Sequence, residues 1–339
     1  MNHRFLGRTG VKVSPLCLGT MMFGAWGNKD HEESIRIIHH ALDSGINFVD
    51  TADVYADGES EEIVGKALVG RRDKVVLATK AHASMGADVN MRGNSRRWIV
   101  SEVESSLKRL KTDWIDLYQM HRFDPNTDIE ETLRALDDLI TQGKIRYAGS
   151  STFPAVEIVE AQWIARDRRL ARLVTEQPPY SIMSRGIEGD VLAACLKYGI
   201  GVLTWSPLNG GWLSGNWRKG VTTVDSHRAA RRPERFDLSN IENQRRLEVV
   251  EQLAVLAEEA GISLVHMAIA FVLQHPAVTS AIIGPRTMEQ LESQLDAPDI
   301  TLDGALLDKI DVVVPPGSMV VPTDAGWQNP ALKAEARRR

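Results

Sequence analysis

The feature that most constrains this chain is an alternation between short apolar segments and longer amphipathic ones. The short segments, such as 75–79 and 115–120, are almost continuously apolar, as is typical of parallel strands buried on both faces. The segments between them have the period of amphipathic helices. The strands of eight successive units are predicted to begin near Pro15, Asn47, Val75, Ile115, Tyr147, Leu173, Gly201 and Ser280. Eight units without a Gly-rich linker favour a closed barrel over an open sheet.

Three segments lie outside this rhythm. Residues 4–13 contain a turn signal between two short strand-like runs and predict a hairpin. Residues 209–240 and the Pro-rich residues 314–339 have no clear period, and loops of that length are often functional. We therefore predict one α/β domain over residues 1–339. It is a (β/α)₈ TIM barrel with an N-terminal β-hairpin (1–14), long C-terminal loops and a tail (314–339).

Composition and charge exclude several classes of protein. The 339 residues are 43% hydrophobic and 25% charged, which is typical of a soluble globular protein. Forty basic against 45 acidic residues give a net charge of −5, which argues against binding to nucleic acid or to an anionic membrane surface. No apolar stretch approaches the ~20 residues of a membrane helix. The two cysteines, Cys17 and Cys195, predict reduced core residues of a cytoplasmic protein.

Polar residues follow the predicted strands at the end of a barrel where active sites lie. In strand order, from the second to the eighth, they are Asp50 and Tyr55; Lys80; His121; Ser150, Ser151 and Thr152; Glu176 and Gln177; Trp205 and Ser206; and Arg286. Any one of them could cap a helix or be solvated. Four titratable groups at one mouth, namely Asp50, Tyr55, Lys80 and His121, indicate a catalytic site instead.

These four residue types suit the protonation of a carbonyl oxygen. A tyrosine with a pKa near ~10 is a weak acid, and a neighbouring ammonium group should lower that pKa. A carboxylate would keep the ammonium charged, and a neutral histidine could hydrogen-bond the reacting oxygen. The sequence has no nucleophile elbow and no metal-ligand spacing, so we expect no metal site. The nucleophile is therefore expected to be a hydride from a cofactor.

The chain resembles the aldo-keto reductase superfamily over nearly its whole length. The segments that carry the resemblance are 47–55 (NFVDTADVY), 77–80 (LATK), 116–121 (DLYQMH), 149–153 (GSSTF), Glu176-Gln177, 205–211 (WSPLNGG) and 283–291 (IGPRTMEQL). The resemblance implies a (β/α)₈ barrel that binds NADP(H) without a Rossmann fingerprint. It also implies that Tyr55 is the general acid, Lys80 lowers its pKa, Asp50 pairs with Lys80, and His121 orients the carbonyl.

The same resemblance implies a set of cofactor contacts. Ser151, Thr152 and Gln177 would hold the nicotinamide carboxamide, Trp205 would stack on its ring, and Arg286 would bind the 2′-phosphate. The family usually has Asn where this chain has Thr152. The full implied set is Ser151, Thr152, Gln177, Trp205, Ser206, Pro207, Leu208, Gly210, Gly211, Leu213, Gly215, Gly284, Arg286, Gln290 and Gln294.

The resulting hypothesis is NADPH-dependent, reversible reduction of an aldehyde or ketone, with a small-molecule carbonyl or alcohol as partner. Two alternatives stay open: a nucleotide-sugar keto- or enoyl reductase of actinobacterial type, and a cofactor-sensing regulatory barrel with little turnover. The natural substrate and the oligomeric state are not predicted. Arg122 is interpreted as a structural ion-pair partner. Arg228, Arg231, Arg232 and Arg235 are interpreted as a solvated face or, alternatively, a clamp over the cofactor.

Overall fold

The eight predicted strands close into one parallel barrel in the computed structural model, which describes residues 1–221, 226–327 and 336. The hairpin strands are β1 (Arg4–Phe5) and β2 (Lys12–Val13). The barrel strands are β3 (Leu16–Gly19), β4 (Phe48–Asp50), β5 (Val76–Ala81), β6 (Ile115–Met120), β7 (Ile145–Ser150), β8 (Leu173–Glu176), β9 (Gly201–Thr204) and β10 (Val278–Ile283). Each strand pairs with the next in the chain, and β10 pairs with β3. The predicted barrel and hairpin are confirmed.

Helices connect successive barrel strands, and the last two helices follow the final strand. They are α1 (His31–Asp43), α2 (Glu59–Ala67), α3 (Arg96–Leu110), α4 (Ile129–Thr141), α5 (Ala155–Arg168), α6 (Val191–Tyr198), α7 (His227–Arg231), α8 (Ile241–Glu259), α9 (Leu264–Gln274), α10 (Met288–Glu292) and α11 (Gly304–Val313). The expected cap of the first one forms, because the Asp30 carboxylate accepts a hydrogen bond from the backbone N–H of Glu33 at 3.0 Å. Gly45, with φ +93°, follows its C-terminus.

The hairpin closes the N-terminal end of the barrel. Leu6 and Val13 are fully buried and join apolar side chains inside the barrel, among them Phe48. A Cβ atom at Gly7 would lie 2.6 Å from the carbonyl oxygen of Val174, so only glycine permits this close approach to β8. Because the hairpin covers this end, the only barrel opening described for the chain is at the C-terminal ends of the strands, where the predicted site residues lie.

The segments without clear period are described in part. Residues 222–225 of the long loop, and residues 328–335 and 337–339 of the tail, lie outside the described residues. Within the described ranges, no individual helix combines the length and the apolar character needed to cross a membrane. Helices α8 and α9 would meet those requirements only together, with a bend of 92° between them.

Candidate active site

A cavity of about 760 Å³ opens at the C-terminal ends of the barrel strands. Most of the predicted site residues line it: Asp50, Tyr55, His121, Ser151, Gln177, Trp205, Ser206, Pro207, Leu208, Gly210, Gly211, Gly284, Arg286, Gln290 and Gln294. Four others do not. Lys80 lies behind Asp50, Thr152 lies behind Trp205, Leu213 is fully buried in the core, and Gly215 sits between two lining residues.

Lys80 joins the predicted catalytic residues through its ammonium group. Its Nζ donates to Asp50 Oδ1 at 2.6 Å and to the carbonyl oxygen of Thr51 at 2.7 Å. The hydroxyl oxygen of Tyr55 lies 3.4 Å from the same Nζ. The Lys80 side chain is fully buried, so these three oxygens are the partners that the structure gives its charge. The ammonium is thereby fixed beside the tyrosine hydroxyl.

Asp50 connects the Lys80 ammonium to the amide groups on the far side of the barrel. Its second carboxylate oxygen, Oδ2, accepts from Gln177 Nε2 at 2.9 Å and from Gln119 Nε2 at 3.3 Å. The Asp50 side chain is only 2% exposed. One ion pair and two amide hydrogen bonds compensate for the free-energy cost of burying its charge. This arrangement also holds the side-chain amide of Gln177 in one orientation.

A tight turn aims Tyr55 into the cavity. Residues Tyr55–Gly58 form a 3₁₀ turn in which Ala56, Asp57 and Gly58 have φ of +49°, +55° and +92°. Two consecutive non-glycine residues in the left-handed region are uncommon and indicate a strained backbone at a functional site. Arg109 braces the turn: a Cβ at Gly58 would lie 2.7 Å from its Cδ, and its Nε donates to the buried Glu61 at 2.6 Å.

The protonation states of Lys80 and Tyr55 depend on how deeply each side chain is buried and on the charged groups next to it. Burial lowers the pKa of Lys80, but the Asp50 carboxylate and Tyr55 outweigh it, so the net pKa is raised and the ammonium stays charged. Burial raises the pKa of Tyr55 by more than Lys80 lowers it. The prediction that Lys80 brings the pKa of Tyr55 below its free value was therefore wrong for the protein alone, because it neglected desolvation of the phenolate.

His121 stands beside Tyr55 as a neutral imidazole. The two ring centroids are 5.8 Å apart in an edge-on arrangement. Burial, together with the positive charges of Lys80 and Arg122, lowers the pKa of His121 well below its ordinary value. At neutral pH the ring therefore carries one N–H donor and one acceptor nitrogen and can hydrogen-bond an oxygen in the cavity.

A second turn holds the predicted carboxamide-binding residues. Thr152 has φ +57°, and its hydroxyl accepts a hydrogen bond from Trp205 Nε1 at 3.3 Å. Ser151 Oγ donates to the backbone oxygen of Gln177 at 2.9 Å. Thr152 thus supports the indole of Trp205, while Ser151 and Gln177 reach the cavity.

Glu176 anchors this turn from below, a role that sequence reasoning missed. Its carboxylate accepts from the backbone N–H of Phe153 at 3.1 Å and from Ser150 Oγ at 2.5 Å. Burial raises the pKa of Glu176 to about 7, although these hydrogen bonds oppose the shift. The available signal was its position at the end of a fully buried strand, directly before Gln177.

The opposite end of the cavity is cationic. The backbone N–H of Arg286 donates to Gln290 Oε1 at 2.8 Å, and its carbonyl oxygen accepts from Asn28 Nδ2 at 3.1 Å. Thr287 caps the short helix α10 through the N–H of Gln290. No carboxylate within the described ranges forms an ion pair with the Arg286 guanidinium; Glu292 lies 3.6 Å from a nitrogen of His40 instead.

Two further arginines line the cavity. Arg228 belongs to the loop interpreted as a solvated face or, alternatively, as a clamp over the cofactor; it lines the cavity, which argues against the solvated face, and burial and the neighbouring arginines lower its pKa to about 10. Arg122 was expected in an ion pair, but no described carboxylate pairs with it; its Nη1 donates to the carbonyl oxygen of His121 at 2.5 Å. The sequence alone did not predict that these two side chains line the cavity, because the paths of the loops determine where they lie.

Tryptophan residues form part of the cavity wall. Trp26 lies 6.1 Å from the ring of Tyr55, and the guanidinium of Arg231 lies 4.2 Å from the Trp26 ring centroid. Trp217 stacks on Phe236 at 4.8 Å and is mostly buried. Trp26 is thus the aromatic wall next to the tyrosine, whereas Trp217 mainly packs the loop.

Comparisons with known proteins show the family to which this chain belongs. Residues 15–314 match the family model described as "Aldo/keto reductase family". The chain is 42% identical to the uncharacterized oxidoreductase YrpG of Bacillus subtilis, over 96% of this chain and 100% of that protein. It is 38% identical to the aldo-keto reductase YhdN of the same organism (89% and 90% covered). A probable voltage-gated potassium channel subunit beta of Arabidopsis thaliana is also 38% identical (93% and 97% covered). The chain therefore belongs to the aldo/keto reductase family.

Proposed function

We propose that this protein reduces an aldehyde or ketone to the alcohol with NADPH, reversibly, and that Tyr55 is the general acid and base. The observation that carries this proposal is the buried Lys80–Asp50 pair, which puts a charged ammonium 3.4 Å from a tyrosine hydroxyl on a cavity wall. A spectrophotometric screen of aldehydes and ketones with NADPH tests it. Loss of the absorbance of the reduced nicotinamide is the expected result, and no loss with any carbonyl compound would contradict the proposal.

The protein's own residues would act on the carbonyl oxygen. His121, as a neutral donor, would hydrogen-bond that oxygen and orient the carbonyl group beside Tyr55. The bound cofactor supplies the hydride that the carbonyl carbon receives. Tyr55 would give its proton to the oxygen, and Lys80 would stabilise the phenolate that remains. In the reverse direction the same phenolate would take the proton of the alcohol.

The residues of the cavity fit such a cofactor. Gln177 Nε2 donates to Asp50, and Ser151 Oγ donates to the backbone oxygen of Gln177. This leaves Gln177 Oε1 and Ser151 Oγ as acceptors for the NH₂ group of a carboxamide. Gly210 and Gly211 have φ of +70° and +109°, and a Cβ at Gly211 would meet no atom within 4 Å. Backbone N–H groups of such a loop can approach a diphosphate closely.

The positively charged side chains of the cavity also suit a phosphorylated dinucleotide. A dinucleotide with a 2′-phosphate needs positive charge along its phosphates, and Arg228 and Arg286 line the cavity. Trp205 offers an aromatic face near Ser151 and Gln177 for stacking on a nicotinamide ring. These features support NADPH as the cofactor.

Arg286→Ala is expected to weaken NADPH binding selectively. A guanidinium–phosphate hydrogen bond contributes roughly 1.5–3 kcal/mol, so the dissociation constant of NADPH should rise about 10- to 150-fold. NADH has no 2′-phosphate and should bind nearly as before. Titration of both cofactors by protein fluorescence measures this, with Arg134→Ala on the exposed surface as control. Equal weakening of the two cofactors would show that Arg286 does not recognise the phosphate.

The rate of reduction is expected to stay level up to about pH 10 and to fall only above that pH. Reduction needs the protonated hydroxyl, and burial holds the pKa of Tyr55 above its ordinary value of 10.0. Alcohol oxidation needs the phenolate and should rise over the same range in which reduction falls. Single-turnover rates in both directions test this. The same pH profile in both directions would assign the proton to another group.

Two other functions within this family predict different outcomes. A nucleotide-sugar reductase would reduce a nucleotide-linked keto sugar and ignore simple aldehydes. A regulatory barrel would bind the cofactor with little turnover, and one relative is named a probable voltage-gated potassium channel subunit beta. The site favours turnover, because a neutral His121 and a supported Tyr55 are needed for proton transfer and not for binding. We further propose one domain, without nucleic-acid or membrane partners, in the cytoplasm.

A further inference from the structure

Arg122 brings a positive charge to the reacting end of the cavity. It follows His121 in the chain, and its guanidinium carbon lies 5.9 Å from the ring centroid of Trp205. Arg122 lines the same cavity as Tyr55. Its guanidinium therefore faces the space where a carbonyl compound would have to sit next to the tyrosine and the histidine.

The structure gives this guanidinium almost no partners. Its one side-chain hydrogen bond in the described part of the chain runs from Nη1 to the carbonyl oxygen of His121, and no described carboxylate is within 4.0 Å. A guanidinium has five N–H donors, and a desolvated one is usually paired. Burial lowers the pKa of Arg122, which is the sign of incomplete compensation. The side chain is thus prepared for an anion that comes from outside the chain.

The proposed cofactor does not account for this charge. A nicotinamide carboxamide is uncharged, and Ser151 and Gln177 supply its hydrogen-bonding partners. The phosphates are served by Arg228 and Arg286, whereas Arg122 stands beside His121 at the reacting end. Trp26 forms part of the wall near Tyr55, and Arg228 is another lining cation whose charge acts on Tyr55, so the test must separate Arg122 from Arg228.

We propose that the carbonyl substrate carries an anionic group, a carboxylate or a phosphate, which the guanidinium of Arg122 binds. The planar fork of an arginine matches the two oxygens of either group. Arg122 would orient the substrate by its anionic end while the carbonyl reaches Tyr55 and His121. This inference rests on the proposed function and names the substrate class for the same site.

Matched pairs of substrates test the proposal. For the carboxylate, 4-carboxybenzaldehyde is compared with methyl 4-formylbenzoate, which has a similar shape and no charge and whose aldehyde is intrinsically the more electrophilic of the two. For the phosphate, glyceraldehyde 3-phosphate is compared with glyceraldehyde. The wild type is expected to prefer the charged member of at least one pair by about 10- to 100-fold in kcat/KM. The pair with the larger preference tells which of the two anions the site takes.

The Arg122→Met variant should lose that preference, because its kcat/KM should fall about 10- to 100-fold more for the charged aldehyde than for the neutral one. Arg122→Lys should keep part of the preference for the charged aldehyde, because lysine has the positive charge but lacks the planar guanidinium that binds two oxygens at once. Arg231→Met, a control, removes a loop cation whose side chain does not line the cavity, and it should keep the preference. NADPH titration by protein fluorescence checks that each variant is folded and binds cofactor as the wild type does.

Three results would overturn the proposal, and they are distinguishable. Equal kcat/KM for the members of both pairs in the wild type would show that no anion is recognised. A preference that survives in Arg122→Met would assign recognition to another group. Equal losses for charged and neutral aldehydes in Arg122→Met would mean that Arg122 acts on the carbonyl itself. No reduction of these four aldehydes or of any other carbonyl compound in the wider screen would instead contradict the proposed function.

Discussion

Tyr55→Phe is expected to reduce the turnover number for carbonyl reduction by about 10²- to 10⁴-fold. The variant keeps the ring that packs against Trp26 and His121 and removes only the hydroxyl beside Lys80 Nζ. A developing alkoxide would then have to take its proton from water or from His121. Because the pKa of His121 lies well below its ordinary value, that ring holds no spare proton at neutral pH.

NADPH binding separates this loss from misfolding. The residues proposed to hold the cofactor are on other elements, so the dissociation constant of NADPH in Tyr55→Phe should stay within about twofold of the wild type. Steady-state rates give the turnover number, and fluorescence titration gives the dissociation constant. An active Tyr55→Phe variant would rule out Tyr55 as the acid. Loss of cofactor binding would make it part of the binding site instead.

Lys80→Met is expected to lower the free energy of unfolding by about 3–5 kcal/mol and to abolish turnover. The Lys80 side chain is fully buried, and its removal leaves the Asp50 carboxylate with two amide donors and no counter-charge. Methionine fills a similar volume, so the loss reports the unpaired charge and not a cavity. Chemical denaturation monitored by circular dichroism measures the stability.

The matched control for Lys80→Met is the double variant with Asp50→Asn. If the unpaired charge causes the destabilisation, then adding Asp50→Asn should recover much of it, and the two single effects should not add. Both variants should lack turnover. Additive losses would contradict this explanation and would assign the destabilisation to poor packing around residue 80.

The strands and the clustering of the candidate site residues at one end of the barrel could be predicted because both depend on local pattern. Continuous apolar runs between helical segments marked all eight strands, and parallel strands bring their C-terminal ends to one edge. Asp50, Lys80 and His121 each come at or directly after a strand, so their meeting follows from topology alone. Gln177 was found in the same way, although its hydrogen bond to Asp50 was not.

What could not be predicted depends on burial and on the paths of loops. The net pKa shift of Tyr55 is the sum of opposing effects, and its sign requires the extent of desolvation. Arg122 looked like an ion-pair partner because an aspartate follows two residues later. In the structure the Asp124 carboxylate accepts from the backbone N–H of Asn94 and from the Thr127 hydroxyl instead. The position of Arg228 depends on a loop with no periodic pattern.

The hairpin has a consequence for how this chain can be synthesised and folded. Arg4 Nη1 donates to the carbonyl oxygens of Leu273 and Val278, which are 269 and 274 positions away. During translation, the first residues can therefore form these hydrogen bonds only after β10, the last barrel strand, has been synthesised. The N-terminal end of the barrel closes only at that stage. Until β10 leaves the ribosome, the facing edges of β3 and β9 have no partner and can pair with other chains. The order of synthesis thus makes the final strand the step that protects this fold from aggregation.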